Sequence, residues 1–353
     1  MPNLATFLKR YLQARFAGAV SLARRDAREI VHARTFRPVG LREFLSLEVP
    51  PRAMLLDPIL PERGLSMLYA PRGMGKSWLA LSIGMAVACG GALLRWTTPR
   101  PRRVLFVDGE MLLADLQARL ATLQAGLGCE IPNDGFRLLA ADQTEFGINL
   151  SSEEGQRALE AHLVGVDLLI LDNLSTLLAS GSEGASDAWL PIQNWLLRLR
   201  RKGIAVLIVH HAGVNGRQRG TSRREDTLDT VVALRRPGDY SAAQGARFEV
   251  HIEKTRNLAG EGALPFEAVV EPFVGKPGVR WTARDLKPPV LHQAADLFAA
   301  GLSVRQVATQ LGISRSEAGR LRLAAVADGL FLGAAEDGSE DDEPAPEAPG
   351  LLN

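Results

Sequence analysis

The chain has 353 residues, 46% of them hydrophobic and 23% charged, enough to bury a sizeable core and too many to leave the whole chain disordered. Lys and Arg number 41 against 40 Asp and Glu, a net charge of +1, which excludes a globally basic nucleic-acid binder but not a locally basic one. The two cysteines, Cys89 and Cys129, are too few for a disulfide framework or a Cys-based zinc site and fit a reducing compartment.

The N-terminal stretch has no apolar core leading to a cleavage site. It is Arg-rich and free of acids up to Asp26, as transit peptides are, but composition alone favours a cytoplasmic chain. Residues 1–50 read as a basic helical arm. Eight Lys or Arg precede residue 38 against Asp26 and Glu29, and Leu4, Leu8, Tyr11, Leu12 and Phe16 recur at helical spacing. Such a helix packs on a main domain or serves as an arm toward DNA or a partner. Pro50, Pro51, Pro58 and Pro61 punctuate a connecting segment.

Residues 51–284 alternate short apolar runs with helical stretches. The runs include Leu65–Ala70, Val104–Val107, Leu168–Leu171, Ala205–Val209, Val231–Leu234 and Phe248–Ile252. Buried strands separated by helices predict an α/β domain with a mainly parallel sheet. The longest apolar run, Leu79–Leu94, contains Ser82 and ends among glycines. A membrane helix needs about 20 apolar residues, so no membrane partner is expected.

The first strand runs into Ala70-Pro71-Arg72-Gly73-Met74-Gly75-Lys76-Ser77 and then a helix. This is the phosphate-binding loop pattern, with Ala in place of the first glycine. Gly73 and Gly75 let successive N–H groups turn inward toward phosphate oxygens, and the helix adds its positive end. Lys76 would sit on the β- and γ-phosphates and Ser77 would offer a hydroxyl to Mg²⁺. ATP and Mg²⁺ are the expected ligands.

Three further strand tips carry polar groups. Asp172 closes Val166–Asp172 and is placed to hold the metal through water. Val104–Met111 carries Glu110, the candidate for activating the attacking water, with Asp108 as its rival. Ala205–His211 ends in His210 and His211, suited to sensing a γ-phosphate. A metal bound by this pair is rejected, because no third ligand stands at the required spacing. The loop that follows holds Arg217, Arg219, Arg223 and Arg224 among glycines, a candidate grip on a nucleic-acid strand. Phe248–Asn257 closes with Lys254 and Arg256, which either reach the γ-phosphate of a neighbouring subunit or stand as surface charges at a strand end.

This series, from residue 65 to about 260, resembles the hexameric RecA-fold helicase ATPases, and most closely the RepA-like plasmid replicative helicases, with DnaB-type helicases as relatives. The shared features are the phosphate loop, Val104–Met111, Leu168–Asn173, His210-His211, Arg219-Gly-Thr-Ser222 and the strand ending in Lys254-x-Arg256. The resemblance implies a RecA-like core, Glu110 as water activator, Asp172 at the magnesium position, His211 of the pair at the γ-phosphate sensor and a homo-oligomer, in that family a ring of six. Single-stranded DNA is the implied partner. Ala70 and the two chain ends depart from the family.

Residues 290–333 read as a small all-α domain. Ser303 with Gln306 and Ser314 with Glu317 mark two helix starts as capping boxes around a Gly312-Ile313-Ser314 turn. This resembles a helix-turn-helix, in which Arg315, Ser316 and Arg320 would face duplex DNA. A strand signal is seen only at Leu330–Leu332. Residues 334–353 hold seven acids, three prolines and neither Lys nor Arg, an expected disordered tail. The reading is a Mg-dependent, DNA-coupled ATPase of helicase type. The rivals are an ATP-gated DNA-binding regulator without motor activity and a scaffold or signalling ATPase.

Overall fold

The computed structural model describes residues 37–178, 186–213, 226–256, 260–286 and 290–331. The expected N-terminal amphipathic helix, the acidic tail and the loop with Arg217, Arg219, Arg223 and Arg224 lie outside the described residues. The chain forms two units, residues 1–52 and 53–353. In the first, a short helix α1 (Leu41–Leu45) exposes Leu41, Phe44 and Leu45.

The second unit opens with a small ladder, β1 (Met54–Leu56) with β2 (Leu60–Pro61). The phosphate-loop strand β3 (Leu65–Ala70) leads into helix α2 (Lys76–Cys89). A second short ladder pairs β4 (Ala92–Leu93) with β5 (Trp96–Thr97). Then follow β6 (Val104–Asp108), α3 (Leu113–Gly126), β7 (Phe136–Ala140), α4 (Glu153–Glu160), β8 (Leu168–Asp172), α5 (Leu174–Leu177) and α6 (Ser186–Arg201). Strands β9 (Ala205–His211) and β10 (Thr230–Arg235) complete the parallel part. An antiparallel extension follows: β11 (Arg247–Thr255), β12 (Phe266–Pro272) and β13 (Val279–Asp285).

One nine-stranded sheet holds these elements in the order β13-β12-β11-β10-β3-β9-β8-β6-β7. From β10 to β7 every pairing is parallel, as continuous apolar strands require when both faces are covered. Leu68, Ile170, Leu207 and Val209 face one apolar cluster with the buried residues of α2. Met67, Leu169, Leu171 and Ile208 face the other, with Trp189, Trp195 and Leu199 of α6. The result is a helix–sheet–helix sandwich of the RecA-like kind, as expected. Helix α2 is buried almost all round, and its Ser82 accepts a hydrogen bond from Trp281 Nε1 on β13 at 2.8 Å.

The structure differs from expectation in four places. Strands β7, β12 and β13 have no counterpart in the strand pattern, because all three mix half-buried or exposed positions into the strand and none has a continuous buried run. The last strand of the α/β part runs one residue past the expected boundary at 284, with Asp285 ending β13. Leu330 and Phe331 form no strand; Phe331 stacks on Phe298 at 5.7 Å between ring centres. The two cysteines are joined, Cys89 at the end of α2 and Cys129 just beyond α3. Two cysteines cannot build a framework, yet the fold brings these two together.

Three C-terminal helices, α7 (Val290–Ala299), α8 (Val304–Leu311) and α9 (Arg315–Ala327), share a small core of Ala294, Phe298, Val307, Ala308 and Ala318. Ser303 and Gln306 form a complete capping box. Ser314 accepts from Glu317 N at 3.2 Å, the first half of the second box. Gly312 adopts a left-handed conformation between α8 and α9, the turn that ends a helix most cheaply in glycine. Among the described residues no helix is long and apolar enough to cross a membrane.

Candidate functional site: a phosphate loop facing three strand tips

Register alone assembles the site. Ala70 at the tip of β3 lies opposite His211 of β9, and Asp108 of β6 lies opposite Asp172 of β8. All four end parallel strands on the same edge of the sheet, where open α/β sheets bind their ligands. Around them opens a cavity of about 660 Å³, lined by Arg72 to Trp78 together with Asp108, Glu110, Asp172, Asn173, His211 and others.

The loop Pro71–Gly75 turns through two glycines with positive φ, 70° at Gly73 and 94° at Gly75, where an L side chain would be strained. At Gly75 a Cβ would also stand 3.1 Å from the Cβ of Ala246, so the loop is closed off by the β10–β11 connection. Lys76 folds back along it, donating to the carbonyls of Ala70 at 3.0 Å and Pro71 at 2.8 Å. Burial lowers the Lys76 pKa to about 8, opposed by the charges of Asp172 and Glu110.

Asp172 is buried, and loss of solvent raises its carboxyl to about 7, with the nearby Asp108 adding to the rise. A hydrogen bond from Ser77 and the charge of Lys76 pull the other way. Its Oδ2 has no hydrogen-bond partner among the described residues. A buried carboxylate oxygen without a partner, beside the Ser77 hydroxyl, is the donor set of a hard divalent cation that keeps several waters. The residues therefore fit Mg²⁺, held by Ser77 and Asp172.

The two acids of β6 part company. Asp108 is buried, and its Oδ1 accepts from Glu110 N at 3.2 Å and Met111 N at 2.8 Å. Burial raises its pKa, against those two bonds. Asp108 thus shapes the turn that presents Glu110. Glu110 reaches into the cavity, and its Oε2 accepts from Asn173 Nδ2 and lies 3.9 Å from His211 Nε2. Asn173 is itself fixed, because its Oδ1 accepts from Thr176 N at 3.2 Å. Of the histidine pair, His211 lines the cavity, whereas His210, next along the strand, points to the opposite face.

Lys254 and Arg256 do not join this cavity. Lys254 pairs with Val231, level with Met67 near the start of β3, about 10 Å along the strand from Ala70. Arg256 donates to the carbonyls of Asp226 at 2.8 Å and Leu228 at 3.3 Å. Arg315, Ser316 and Arg320 are exposed on α9, a surface separate from the cavity lining.

Four residues at or beside the cavity are missed by motif reading. Asn173 stands next to Asp172 and orients Glu110. Arg119 and Asp115 lie four apart on α3, one helical turn. Arg236, just past β10, donates to the Gly73 carbonyl at 2.7 Å and stacks on Tyr240 at 3.7 Å. Helical spacing on the element after Glu110 is the signal that could have found Asp115 and Arg119. Nothing local marks Arg236, whose partner is 163 positions away.

A strand, a glycine-turned loop with a buried lysine, and two facing acid-bearing strand tips define a P-loop nucleoside-triphosphatase. The AAA domain family model matches residues 32–217, just over half of the chain, and the chain belongs to that family of ATPases. No curated protein matches the chain. Similar solved structures include a KaiC-like protein from the hyperthermophilic archaeon Pyrococcus horikoshii OT3, 13% identical, covering 65% of this chain and 98% of its own, with a TM-score of 0.44. Others are the flagellar accessory protein FlaH from Methanocaldococcus jannaschii (11%, 64% and 91%, TM-score 0.44) and the RadB recombinase (15%, 64% and 92%, TM-score 0.42). The fold stands on strand order and register, not on these distant likenesses.

Proposed function

We propose that the chain is a Mg²⁺-dependent ATP hydrolase whose turnover is coupled to DNA, of the replicative-helicase kind. The observation that carries the ATPase reading is the convergence of Lys76, Ser77, Asp172 and Glu110 on one cavity. Lys76 would leave its loop carbonyls for the β- and γ-phosphates. Mg²⁺, held by Ser77 and Asp172, would neutralise charge on the phosphates. Glu110 is the general base for water, with Asn173 holding its carboxylate and His211 close enough to respond to the γ-phosphate.

Lys254 and Arg256 lie too far along the sheet to serve their own cavity, which supports a role on a neighbour's nucleotide in a homo-oligomeric ring, six-membered in the family it resembles. DNA coupling is supported by the exposed Arg315, Ser316 and Arg320 at the start of α9, the face a helix-turn-helix turns to the major groove. The loop with Arg217, Arg219, Arg223 and Arg224 is the second proposed contact, for single strands. We place the protein in the cytoplasm, where ATP is supplied and where a reducing environment would hold the Cys89–Cys129 link open. The α7–α9 unit favours one other reading, an ATP-gated DNA-binding regulator that does not unwind.

The test is ATP hydrolysis with single-stranded DNA, duplex DNA or neither, with Lys76→Ala as the blank. Strong stimulation by single strands supports the motor. Stimulation or footprinting on duplex alone favours the regulator. A rate indifferent to DNA overturns the DNA coupling, and undiminished hydrolysis by Lys76→Ala overturns the assignment of the site.

A further inference from the structure

The nucleotide cavity holds two cations that the proposed mechanism does not use, Arg72, exposed on the phosphate loop, and Arg119. Arg119 is half-buried on α3 and lines the cavity on the side of Asp172. Its guanidinium lies 4.9 Å above the ring of Trp78, the residue after Ser77. Such a stack holds a guanidinium in place without consuming its charge. The groups acting on it electrostatically are Asp172, Asp108 and Asp115. Four carboxylates, Asp108, Glu110, Asp115 and Asp172, share this cavity with Lys76, Arg72 and Arg119. Lys76 is tied to the loop carbonyls. Arg119 is therefore the cation on the metal side. The Trp78 stack keeps it from occupying the place of a metal, since Asp172 Oδ2 takes no hydrogen bond from any described group.

We propose that Arg119 is a built-in counter-charge that partly substitutes for Mg²⁺, so that this residue sets how strongly nucleotide binding depends on the metal. It balances the carboxylates and supports phosphate binding when metal is scarce. When metal arrives, the two positive charges compete for the same acids, so the benefit each brings is smaller in the presence of the other. The inference rests on the ATP-site reading.

The test is the affinity of a fluorescent ADP analogue, with Mg²⁺ and with EDTA, read as the ratio of the two dissociation constants. Arg119→Gln should weaken binding mainly in EDTA, raising the ratio by about fivefold or more. Arg119→Lys, which keeps the charge, should restore most of it. Asp115→Asn removes an exposed acid facing Arg119 and should lower the ratio, an opposite sign that a folding defect would not produce. Equal weakening in both arms, or a ratio unmoved in Arg119→Gln and Asp115→Asn, overturns the proposal. Failure of the unaltered protein to bind the analogue in either arm would instead overturn the ATP-site reading.

Discussion

The nucleotide cavity and the α7–α9 unit carry their polar groups in opposite ways. The cavity buries Asp108, Asp172 and His211 at strand tips whose spacing is fixed by sheet register, and Lys76 at the start of α2. The helical unit buries only apolar side chains and leaves Arg315, Ser316 and Arg320 in solvent. Buried charges cost stability and gain chemistry. Exposed ones cost little, and act only through a partner. One region is built to react and the other to be met.

The sharpest break of this contrast is Lys76→Ala, which should reduce hydrolysis by about 10²–10³ or more while leaving circular dichroism unchanged. Next comes the separation of the two acids on β6. Glu110→Gln should lower kcat by about 10²–10⁴ with nucleotide binding retained. Asp108→Asn should instead show itself as a lower melting temperature, because its carboxylate holds two backbone N–H groups.

Asp172 offers the pH test. Its carboxyl is raised to about 7 from the ordinary 3.8, so the folded protein resists ionising it. That cost to stability is absent below the unfolded value, grows as pH rises and is complete above about 7. Asp172→Asn should thus stabilise the metal-free protein at pH 8 in chemical denaturation, while metal-dependent binding is lost. In the unaltered protein, protons compete with Mg²⁺, so metal-dependent nucleotide affinity should fall by about tenfold per unit below pH 7.

The smallest effects are expected on the helical unit. Arg315→Ala and Arg320→Ala should each weaken DNA binding and reduce its salt slope by about 0.9 for every phosphate no longer neutralised. Hydrolysis without DNA should not change. Ser303→Ala should cost about 1 kcal/mol of the stability of that unit through removal of its cap.

How legible these regions were follows from the same contrast. The parallel strands announce themselves because burial on both faces demands unbroken apolar runs, as in Leu168–Leu171. The hairpin of β12 and β13 does not, since one of its faces is partly wet and its residues mix Glu271, Arg280 and Arg284 with Val269 and Trp281. Lys76, Asp172 and Glu110 could be found because local chemistry dictates their spacing. The sequence already favours Glu110 over Asp108, and the turn geometry adds what Asp108 does instead, its Oδ1 accepting from two backbone N–H groups. Arg236 and the pairing of the two cysteines needed the fold, because only distant segments meeting in space define them.

The Cys89–Cys129 link has a topological consequence. Its ends stand 40 positions apart, and the segment between them includes Asp108, Glu110, Asp115 and Arg119, so the acid-bearing arm of the site lies inside one covalent ring closed onto the end of the phosphate-loop helix. Closing a ring of that size removes about 4 kcal/mol of unfolded-chain freedom in the entropic account. Even a denatured chain would keep these two halves of the site tethered, and it would lose that tether in a reductant.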